Sequence, residues 1–477
     1  MINKLGWGVL LGALLLTACR EQPPREVAVL HFPVAQADAV LQINGQESFP
    51  AFSVDKTDYE PVSFSALQPN EISFGGEVKT VSVSEIKPND FITFYVGDTP
   101  YKIQLFPEKM PHYQILRNRY KEQGYLFLTP FESMCRLGAY AYVLRTDGAL
   151  IYFRRNSLKN RCVSDFKKTI LPDGKVRFTL MEQVRQPPPS DYWSGQLLVM
   201  DEHFHPLKTV SLLPTEKHPA LGVENHESLM LGEDHFILTS YYENEVALPN
   251  GEQAKVATPV IQEIKDGKVL FDWVAAEDPQ FYQLCLGHCL FGKNEYQDYL
   301  HINSVLIDPK DQHFVVSFGG AAAVMKIHRQ TGEILWILGG LGDQFSLTSA
   351  QLFSTQHTIN LLPDGALMVF DNHSSGVSRR VRNFFALPEL DQKSRVLIFE
   401  LDETNLQVQN FKQIPLPFFV RTMGSVFLTE QGNFFVGYGA NRQRAAQEIT
   451  PSGKLLFDMS IQPLFASYRV YKYDKLD

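Results

Sequence analysis

Three histidines stand at one position of a repeated sequence pattern. The recurring apolar runs can be aligned on Leu231, Leu306 and Leu362. A histidine stands five residues before each of these leucines: His226, His301 and His357. An imidazole titrates near about pH 6.5, so it can exchange protons at neutral pH and bind anions when protonated. We predict that the three rings face one another across a shared cavity. The alternative is three separate half-buried histidines, each bonded to its own neighbours.

Further donors and cations stand close to these histidines in the repeat and are the other candidate substrate-binding residues. They are Asn303, Thr358, Asn360, Asn372, His373, Arg379 and Arg380. Such a set suits an anionic oxyester or acid, because guanidinium and amide groups hold several oxygens at once. The sequence has no Gly-rich phosphate loop, no HExxH and no GxSxG motif. No cofactor is expected.

The repeat that carries these residues consists of paired apolar runs separated by tight turns. Six hairpins form the first set, at 141–153, 169–180, 227–240, 304–318, 359–370 and 425–438. Five hairpins alternate with them, at 196–212, 261–273, 323–338, 396–411 and 445–461. We interpret the first set as inner and the second as outer hairpins, so that one of each makes a four-stranded antiparallel blade.

This count predicts an all-β fold, a six-bladed β-propeller over 112–477. The segment 467–474 is predicted to supply the missing sixth outer element and to close the ring against the first blade. Short alternating runs over 27–106 predict a small N-terminal β-sandwich. Two stacked β-sandwiches are the alternative to the propeller.

The N-terminus resembles a bacterial lipoprotein signal. Residues 1–18 contain Lys4, an apolar run and the small-residue sequence that ends at Cys19 in LTAC. The resemblance implies lipidation of Cys19, a tether over 19–26, and a periplasm-facing protein held by lipid to the cell envelope, with Arg20 favouring the outer membrane. An ordinary secretory signal or a core segment is the alternative.

Four cysteines remain once Cys19 is assigned to lipid. In an exported protein an even number favours disulfides, and the predicted pairs are Cys135–Cys162 and Cys285–Cys289. A metal site on Cys285, His288 and Cys289 is the rival interpretation, but no fourth ligand stands at zinc spacing. The formal charge of −9 argues against nucleic acid as a partner.

Several segments, taken together in their order, carry a family resemblance. They are YKIQLFPEKMPHYQI at 101–115, YLHINSVLIDPKDQHFVVS at 299–317, KIHRQTGEILWILGG at 326–340, STQHT at 354–358, MVFDN at 368–372, KSRVLIFELD at 393–402 and YRV at 468–470. The chain resembles the bacterial arylsulfate sulfotransferases. The resemblance implies a periplasmic six-bladed propeller that moves a sulfuryl group from an aryl sulfate to a phenol without a nucleotide donor.

The resemblance also implies roles for particular residues. In the family one histidine is sulfated transiently, while two more histidines and an arginine hold the sulfate and handle the phenol protons. His301 of HINSV and His357 of QHT match the two supporting histidines, and Arg379 or Arg380 matches the arginine. Sulfuryl transfer spreads charge over oxygens, so fixed donors and cations lower its barrier.

The histidine that carries the sulfuryl group in the family has no counterpart at the corresponding place. That place is 434–449, and the chain has no histidine after His373. Either His373 or His226 has taken the role, or transfer is direct, or catalysis has been lost. The two functional hypotheses are therefore a sulfotransferase-like enzyme and a non-catalytic propeller that binds an anionic ligand or an envelope protein.

Overall fold

The structure is a computed structural model of a predominantly β-strand protein. It describes residues 25–32, 41–49, 58–64, 69–82, 91–106, 111, 113–120, 124–132, 135, 139–156, 161–186, 192–247, 251–285, 297–375, 393–441 and 443–477. Within these residues the helical elements are the four-residue helix α1 (Gln280–Gln283) and the 3-10 turns Ala275–Glu277 and Gly340–Gly342. No helix in the described ranges is both long and apolar enough to cross a membrane.

Two four-stranded antiparallel sheets form the N-terminal part. Their strands are β1 (Arg25–Phe32), β2 (Leu41–Ile43), β3 (Gln46–Phe49), β4 (Asp58–Phe64), β5 (Asn70–Phe74), β6 (Glu77–Val81), β7 (Phe91–Val96) and β8 (Thr99–Phe106). The strand orders are β4-β1-β8-β7 and β3-β2-β5-β6. The sheets meet where Phe74 packs against Phe94, with ring centroids 6.1 Å apart, so this part is a β-sandwich.

Twenty-five further strands form the rest of the protein. The first thirteen are β9 (Tyr113–Asn118), β10 (Tyr125–Glu132), β11 (Ala139–Arg145), β12 (Leu150–Asn156), β13 (Arg161–Ile170), β14 (Val176–Arg185), β15 (Trp193–Met200), β16 (Pro206–Val210), β17 (Ser228–Gly232), β18 (His235–Ala247), β19 (Gln253–Lys265), β20 (Lys268–Val274) and β21 (Ile302–Ile307). The others are β22 (Phe314–Phe318), β23 (Ala323–Ile327), β24 (Ile334–Gly339), β25 (Ile359–Leu361), β26 (Leu367–Asp371), β27 (Arg395–Asp402), β28 (Gln407–Pro415), β29 (Ser425–Leu428), β30 (Phe434–Gly437), β31 (Ala446–Ile449), β32 (Leu455–Ile461) and β33 (Phe465–Tyr473).

These strands form six antiparallel sheets, the blades of a propeller. From the innermost strand outward, they are β33-β10-β11-β12, β13-β14-β15-β16, β17-β18-β19-β20, β21-β22-β23-β24, β25-β26-β27-β28 and β29-β30-β31-β32. Strand β9 adds a fifth, outermost strand to the sixth blade by pairing with β32. The predicted six-bladed β-propeller is confirmed. The predicted boundaries between the parts of the chain stay predictions.

Two details of the predicted ring are wrong. The hairpin predicted at 141–153 as an inner pair is β11-β12, the outer half of the first blade. The C-terminal strand β33 does close the ring, but it is an innermost strand and pairs with β10, with Phe127 opposite Tyr471. The inner and outer hairpins of a blade have the same pattern of two apolar runs joined by a turn. The sequence therefore did not show which hairpin is inner in the first blade, because that blade combines strands from both ends of the propeller.

Packing between blades explains why the propeller forms instead of two stacked sandwiches. Among the described residues, a hydrophobic cluster lies between each pair of neighbouring blades, with Phe127 between the first two and Phe353 between the fourth and fifth. A blade has two apolar faces, and radial packing buries both against neighbours. The innermost strands are thereby gathered around one axis.

Candidate functional site

The predicted convergence of the three histidines is present in the structure. His226, His301 and His357 stand just before β17, β21 and β25, the innermost strands of consecutive blades, and all three line one cavity of about 290 Å³. We call this the histidine cavity. The ring centroids of His226 and His301 lie 4.8 Å apart in an edge-to-face arrangement. The ring of Tyr468 lies 5.4 Å from that of His226 and 6.2 Å from that of His357.

A buried carboxylate orients His226. Nδ1 of His226 hydrogen-bonds Oε2 of Glu224, whose side chain is fully buried. The backbone N–H of His226 donates to the same oxygen at 3.0 Å, and the hydroxyl of Thr239 donates to Oε1 of Glu224. A carboxylate accepts a hydrogen bond, so it favours the tautomer that carries its proton on Nδ1 and its lone pair on Nε2. No described residue hydrogen-bonds Nε2 of His226, and the ring lines the cavity.

A second carboxylate holds His301. Nδ1 of His301 hydrogen-bonds Oδ2 of Asp298, and its backbone N–H donates to Oδ1 at 3.1 Å. Burial lowers the pKa of His301, but the charge and hydrogen bond of Asp298, with the charge of Glu224, outweigh burial and raise the pKa above its ordinary value. His301 therefore holds a proton more readily than His357 does.

Two glycines allow the segment carrying His301 to approach the end of β22. The N–H of Gly319 donates to the carbonyl of His301 at 2.8 Å, and the N–H of Gly320 to that of Leu300 at 2.7 Å. A Cβ on Gly320 would lie 2.8 Å from the carbonyl oxygens of Tyr299 and Leu300, which no real side chain tolerates. The glycine pair is thus a requirement of the site's backbone.

His357 is held on both nitrogens by the protein itself. Its Nδ1 donates to Oδ1 of Asn372 at 2.7 Å and lies 2.9 Å from the carbonyl of Thr355, while its Nε2 accepts the N–H of Met423 at 2.9 Å. Burial lowers the pKa of His357 to about 3, and the neighbouring His226 and His301 contribute to the same shift. The ring is neutral at physiological pH.

Most of the other residues that line the histidine cavity are aromatic or are polar and uncharged. Its other lining residues are Tyr192, Trp193, Asn225, Tyr241, Asp298, Asn303, Thr355, Thr422, Met423 and Tyr468. Burial raises the pKa of both Tyr241 and Tyr468, so these phenols keep their protons. No lysine or arginine lines the cavity within the described ranges. An aromatic pocket with few polar groups suits a small aromatic ligand.

The other predicted binding residues divide into several groups. Asn303 lines the histidine cavity, and its Oδ1 is buried without a partner among the described residues. Asn372 supports His357 from behind. Thr358 and Asn360 donate to the carbonyls of Gly424 and Val426 in the sixth blade and line a different cavity. His373 is buried and does not line the histidine cavity.

Several predicted residues lie outside the described ranges. They are Cys19, His288, Cys289, Arg379 and Arg380. The predicted Cys135–Cys162 disulfide is confirmed, with the Cα atoms 5.5 Å apart, and it links the first blade to the second. Cys285 is disulfide-bonded as well.

Sequence reasoning missed the two carboxylates that orient the histidines. Glu224 precedes His226 by two residues, and Asp298 precedes His301 by three. An acidic residue just before each of these two histidines was the available signal. Asp and Glu side chains often accept hydrogen bonds from backbone N–H groups a few residues further along the chain. His357 has no such acid, and an amide takes that place.

One cluster of acidic side chains has the spacing of a metal site within the described part of the chain. Ligand atoms of Asp308, Asp311 and Glu403 lie within 4.8 Å of one another. Nζ of Lys326 lies 2.7, 2.6 and 2.6 Å from the three carboxylates, so an ammonium group already occupies the place between them that a metal ion would take. This cluster ties the fourth blade to the fifth and stands apart from the histidine cavity.

Comparison with known protein families agrees with this site. The model for arylsulfotransferase (ASST) matches residues 193–462, more than half of the chain. The chain belongs to the arylsulfotransferase family. The match runs from the start of β15 to just after β32 and contains His226, His301 and His357. A search of curated proteins gives no match to this chain.

Solved structures similar to this chain have low sequence identity. A protein of unknown function from Bacteroides caccae is 11% identical with a TM-score of 0.42, and the match covers 74% of this chain and 100% of that one. The periplasmic gluconolactonase of Pseudomonas aeruginosa is 13% identical with a TM-score of 0.38, and the match covers 74% of this chain and 99% of that one. Similarity at this level carries no information about activity.

Proposed function

We propose that this arylsulfotransferase moves a sulfuryl group from an aryl sulfate to a phenol, and that Nε2 of His226 carries the group between them. The observation that supports the proposal is the unpartnered Nε2 of a ring whose Nδ1 is bound to the buried Glu224. A carboxylate at Nδ1 makes the opposite nitrogen a better nucleophile and stabilises the positive ring that forms during attack.

The first half-reaction cleaves the donor. The Nε2 lone pair of His226 forms a bond to sulfur while the bond between sulfur and the aryl oxygen breaks, and the oxygen keeps the bonding electron pair. The leaving phenolate takes the proton held by His301, whose pKa is raised. The ring centroids of the two histidines are 4.8 Å apart, which supports action of both on one ester group.

The second half-reaction reverses these steps with the acceptor. The neutral His301 takes the proton of the incoming phenol, and the phenol oxygen forms a bond to sulfur as the bond from sulfur to Nε2 breaks. His226 regains its lone pair and His301 regains its proton. Donor and acceptor thus use one site in turn, which matches the size of a cavity of about 290 Å³.

His357 has a holding role in this proposal. Because both of its nitrogens are engaged, it is not available to exchange protons with the substrate. The amides of Asn225 and Asn303 line the cavity and are the neutral groups proposed to meet the sulfuryl oxygens. The family resemblance adds one cation to the proposal: Arg379 or Arg380 would bind the negatively charged sulfate group.

Among the carriers that the sequence left open, His226 is favoured over His373. His373 does not line the histidine cavity, and its Nδ1 lies 3.3 Å from the carbonyl of Lys393. Direct transfer would need donor and acceptor side by side, which a cavity of about 290 Å³ does not favour. The carboxylate pairing of His226 supports a covalent carrier.

We also propose that lipid on Cys19 holds the protein to the outer membrane, facing the periplasm, on the basis of the LTAC sequence and the Arg20 that follows it. The Cys135–Cys162 disulfide supports an oxidising compartment.

The alternative function is a non-catalytic propeller that binds an anionic ligand or an envelope protein. One observation favours it: no lysine or arginine lines the histidine cavity in the described part of the chain, although sulfuryl transfer benefits from fixed cations. The pairing of Glu224 with His226 favours the enzyme, because a carboxylate at Nδ1 makes Nε2 a better nucleophile, which a binding site does not require.

A transfer assay with the purified full-length protein in mild detergent tests the proposal. With para-nitrophenyl sulfate and phenol, we expect nitrophenolate release and formation of phenyl sulfate. His226→Ala should lower the rate by roughly a thousandfold and His301→Ala by roughly a hundredfold. His205→Ala changes an exposed histidine on an outer hairpin and should leave the rate unchanged. Binding of para-nitrophenyl sulfate without turnover would support the non-catalytic alternative instead.

A further inference from the structure

A second cavity lies directly beyond the histidine cavity along the same innermost strands. It has a volume of about 300 Å³. Consecutive residues divide between the two: in four blades, one residue lines the histidine cavity and the next lines the second cavity. These pairs are His226 and Glu227, Asn303 and Ser304, His357 and Thr358, and Tyr468 and Arg469. The partition between the cavities is therefore about one residue thick.

Tyr468 and Arg469 of the ring-closing strand β33 form the centre of this partition. The hydroxyl of Tyr468 donates to the carbonyl of Asn303 at 3.2 Å, and Nη2 of Arg469 donates to the same carbonyl at 2.8 Å. The guanidinium carbon of Arg469 lies 5.1 Å from the centroid of the Tyr468 ring. Both side chains are almost fully buried. We call this arrangement of Tyr468, Arg469 and Asn303 the floor.

Three charged side chains, Lys167, Glu227 and Arg469, line the second cavity beside several apolar ones. Nη1 of Arg469 donates to Oε2 of Glu227 at 2.8 Å and to Oδ1 of Asp165 at 3.1 Å. Nζ of Lys167 lies 2.6 Å from both Glu227 and Asp165. Nε of Arg469 is buried and has no partner among the described residues. A cavity of about 300 Å³ has room for on the order of ten waters, and the charged groups at the floor favour water there.

We infer that the floor keeps this water away from the sulfuryl group on His226, so that the enzyme transfers the group to a phenol instead of hydrolysing it. The inference rests on the proposed function. In the competing hydrolysis, a water oxygen forms a bond to sulfur while the bond between sulfur and Nε2 breaks. The electron pair of that bond returns to nitrogen, and His301 takes a proton from the water. The product is inorganic sulfate.

The ring of Tyr468 is the part of the floor that packs against the ring of His226. Its centroid lies 5.4 Å from that of the His226 ring, and it covers Arg469 and the charged groups on the far side. A closed active site protects a reactive intermediate by excluding water. A smaller side chain at this position would join the two cavities and admit water to the face of His226.

Replacing Tyr468 tests the inference through a product ratio, which does not depend on how much protein is folded. The full-length enzyme is supplied with para-nitrophenyl sulfate and phenol, and inorganic sulfate and phenyl sulfate are both quantified. We expect Tyr468→Leu and Tyr468→Ala to raise the ratio of sulfate to phenyl sulfate by roughly tenfold or more. Tyr468→Ala removes a buried ring and is expected to be the less stable, so Tyr468→Leu is measured beside it.

Two controls separate the floor from a general disturbance of the cavity. Tyr468→Phe keeps the ring and loses only the hydroxyl, so it should leave the ratio close to that of wild type. Tyr192→Ala removes an aromatic ring from the wall of the histidine cavity, and should lower turnover without changing the ratio.

The possible failures are distinguishable. Wild-type protein that forms no phenyl sulfate would overturn the proposed function. Wild-type transfer, with Tyr468→Leu and Tyr468→Ala both cleaving the donor at the wild-type product ratio, would overturn the role of the floor alone.

Discussion

Nε2 of His357 accepts a 2.9 Å hydrogen bond from the backbone N–H of Met423. Met423 stands just before β29, the innermost strand of the sixth blade, and His357 stands just before β25, the innermost strand of the fifth. The bond therefore joins the segments that lead into the innermost strands of neighbouring blades. His357 thus differs in role from the other two histidines, because it holds the backbone. His226 and His301 are bound to carboxylates and are proposed to react.

The neutral state of His357 predicts a pH dependence of stability. Folding lowers the pKa of His357 to about 3, so the unfolded chain takes up a proton on this ring at a higher pH than the folded protein does. The free energy of unfolding therefore decreases as pH falls from about 6.5 towards 3. His357→Gln removes this group. We expect the stability of the variant to fall less steeply with acid, by up to about 1.4 kcal/mol per pH unit.

Urea unfolding measured between about pH 6.5 and pH 4 checks this difference in slope. His205→Gln is the matched control, since His205 is exposed and lies away from the cavity. The slope of His357→Gln should differ from that of wild type by more than the slope of this control does. An unchanged slope in His357→Gln would show that the buried ring does not remain neutral.

Asp298 is predicted to set the alkaline limit of activity. Its charge and hydrogen bond are the main reasons that the pKa of His301 is raised against the effect of burial. The proton donor is present below that pKa and lost above it, so kcat/KM for the donor should fall as pH rises through it. Asp298→Asn should move this alkaline limb to lower pH.

A pH profile of kcat/KM for para-nitrophenyl sulfate measures the shift. Asp402→Asn is a suitable control, because Asp402 accepts hydrogen bonds within an exposed hairpin turn of the fifth blade. An alkaline limb that does not move in Asp298→Asn would remove His301 from the role of proton donor.

Glu224→Gln is predicted to weaken the nucleophile without removing it. An amide at this place can present N–H to Nδ1 of His226, which favours the tautomer with the proton on Nε2 and blocks attack. We expect a loss of roughly 10² to 10⁴ in kcat. In a double-mutant cycle, Glu224→Gln should add little to the loss already caused by His226→Ala. Additive losses would mean that Glu224 does not act through His226.

The sequence was sufficient to predict the propeller and the shared histidine position because both follow from a repeat. One histidine per blade at the same place in the pattern is enough to bring His226, His301 and His357 together once the blades form a ring. The order of strands in the first blade was not predictable in this way, because β33 and β10 come from opposite ends of the propeller and resemble an ordinary pair.

The details that separate the histidines depend on local backbone geometry. His301 and Met423 both have left-handed conformations, with φ of 54° and 66°. Such conformations are uncommon outside glycine and are not evident from residue type. They turn the chain so that Asp298 contacts His301 and the N–H of Met423 contacts His357. The roles of the three rings therefore required the structure.

The Cys135–Cys162 disulfide is predicted to stabilise the ring near its closure. It links residues 27 apart in sequence and connects the first blade to the second. Cys135→Ala/Cys162→Ala should lower the free energy of unfolding by about 2–4 kcal/mol. Urea denaturation without reductant measures this, with Cys285→Ala/Cys289→Ala as the comparison for a short-range bridge. Equal stability of the first double variant and wild type would contradict the prediction.

The central claim is that His226 carries the sulfuryl group, and trapping the intermediate tests it most directly. The enzyme is incubated with para-nitrophenyl sulfate without acceptor, quenched at high pH, digested and examined by mass spectrometry. We expect the mass of one sulfuryl group on the peptide containing His226, its disappearance when phenol is added before quenching, and no adduct in His226→Ala. A sulfuryl group on another residue, or normal transfer by His226→Ala, would contradict the account.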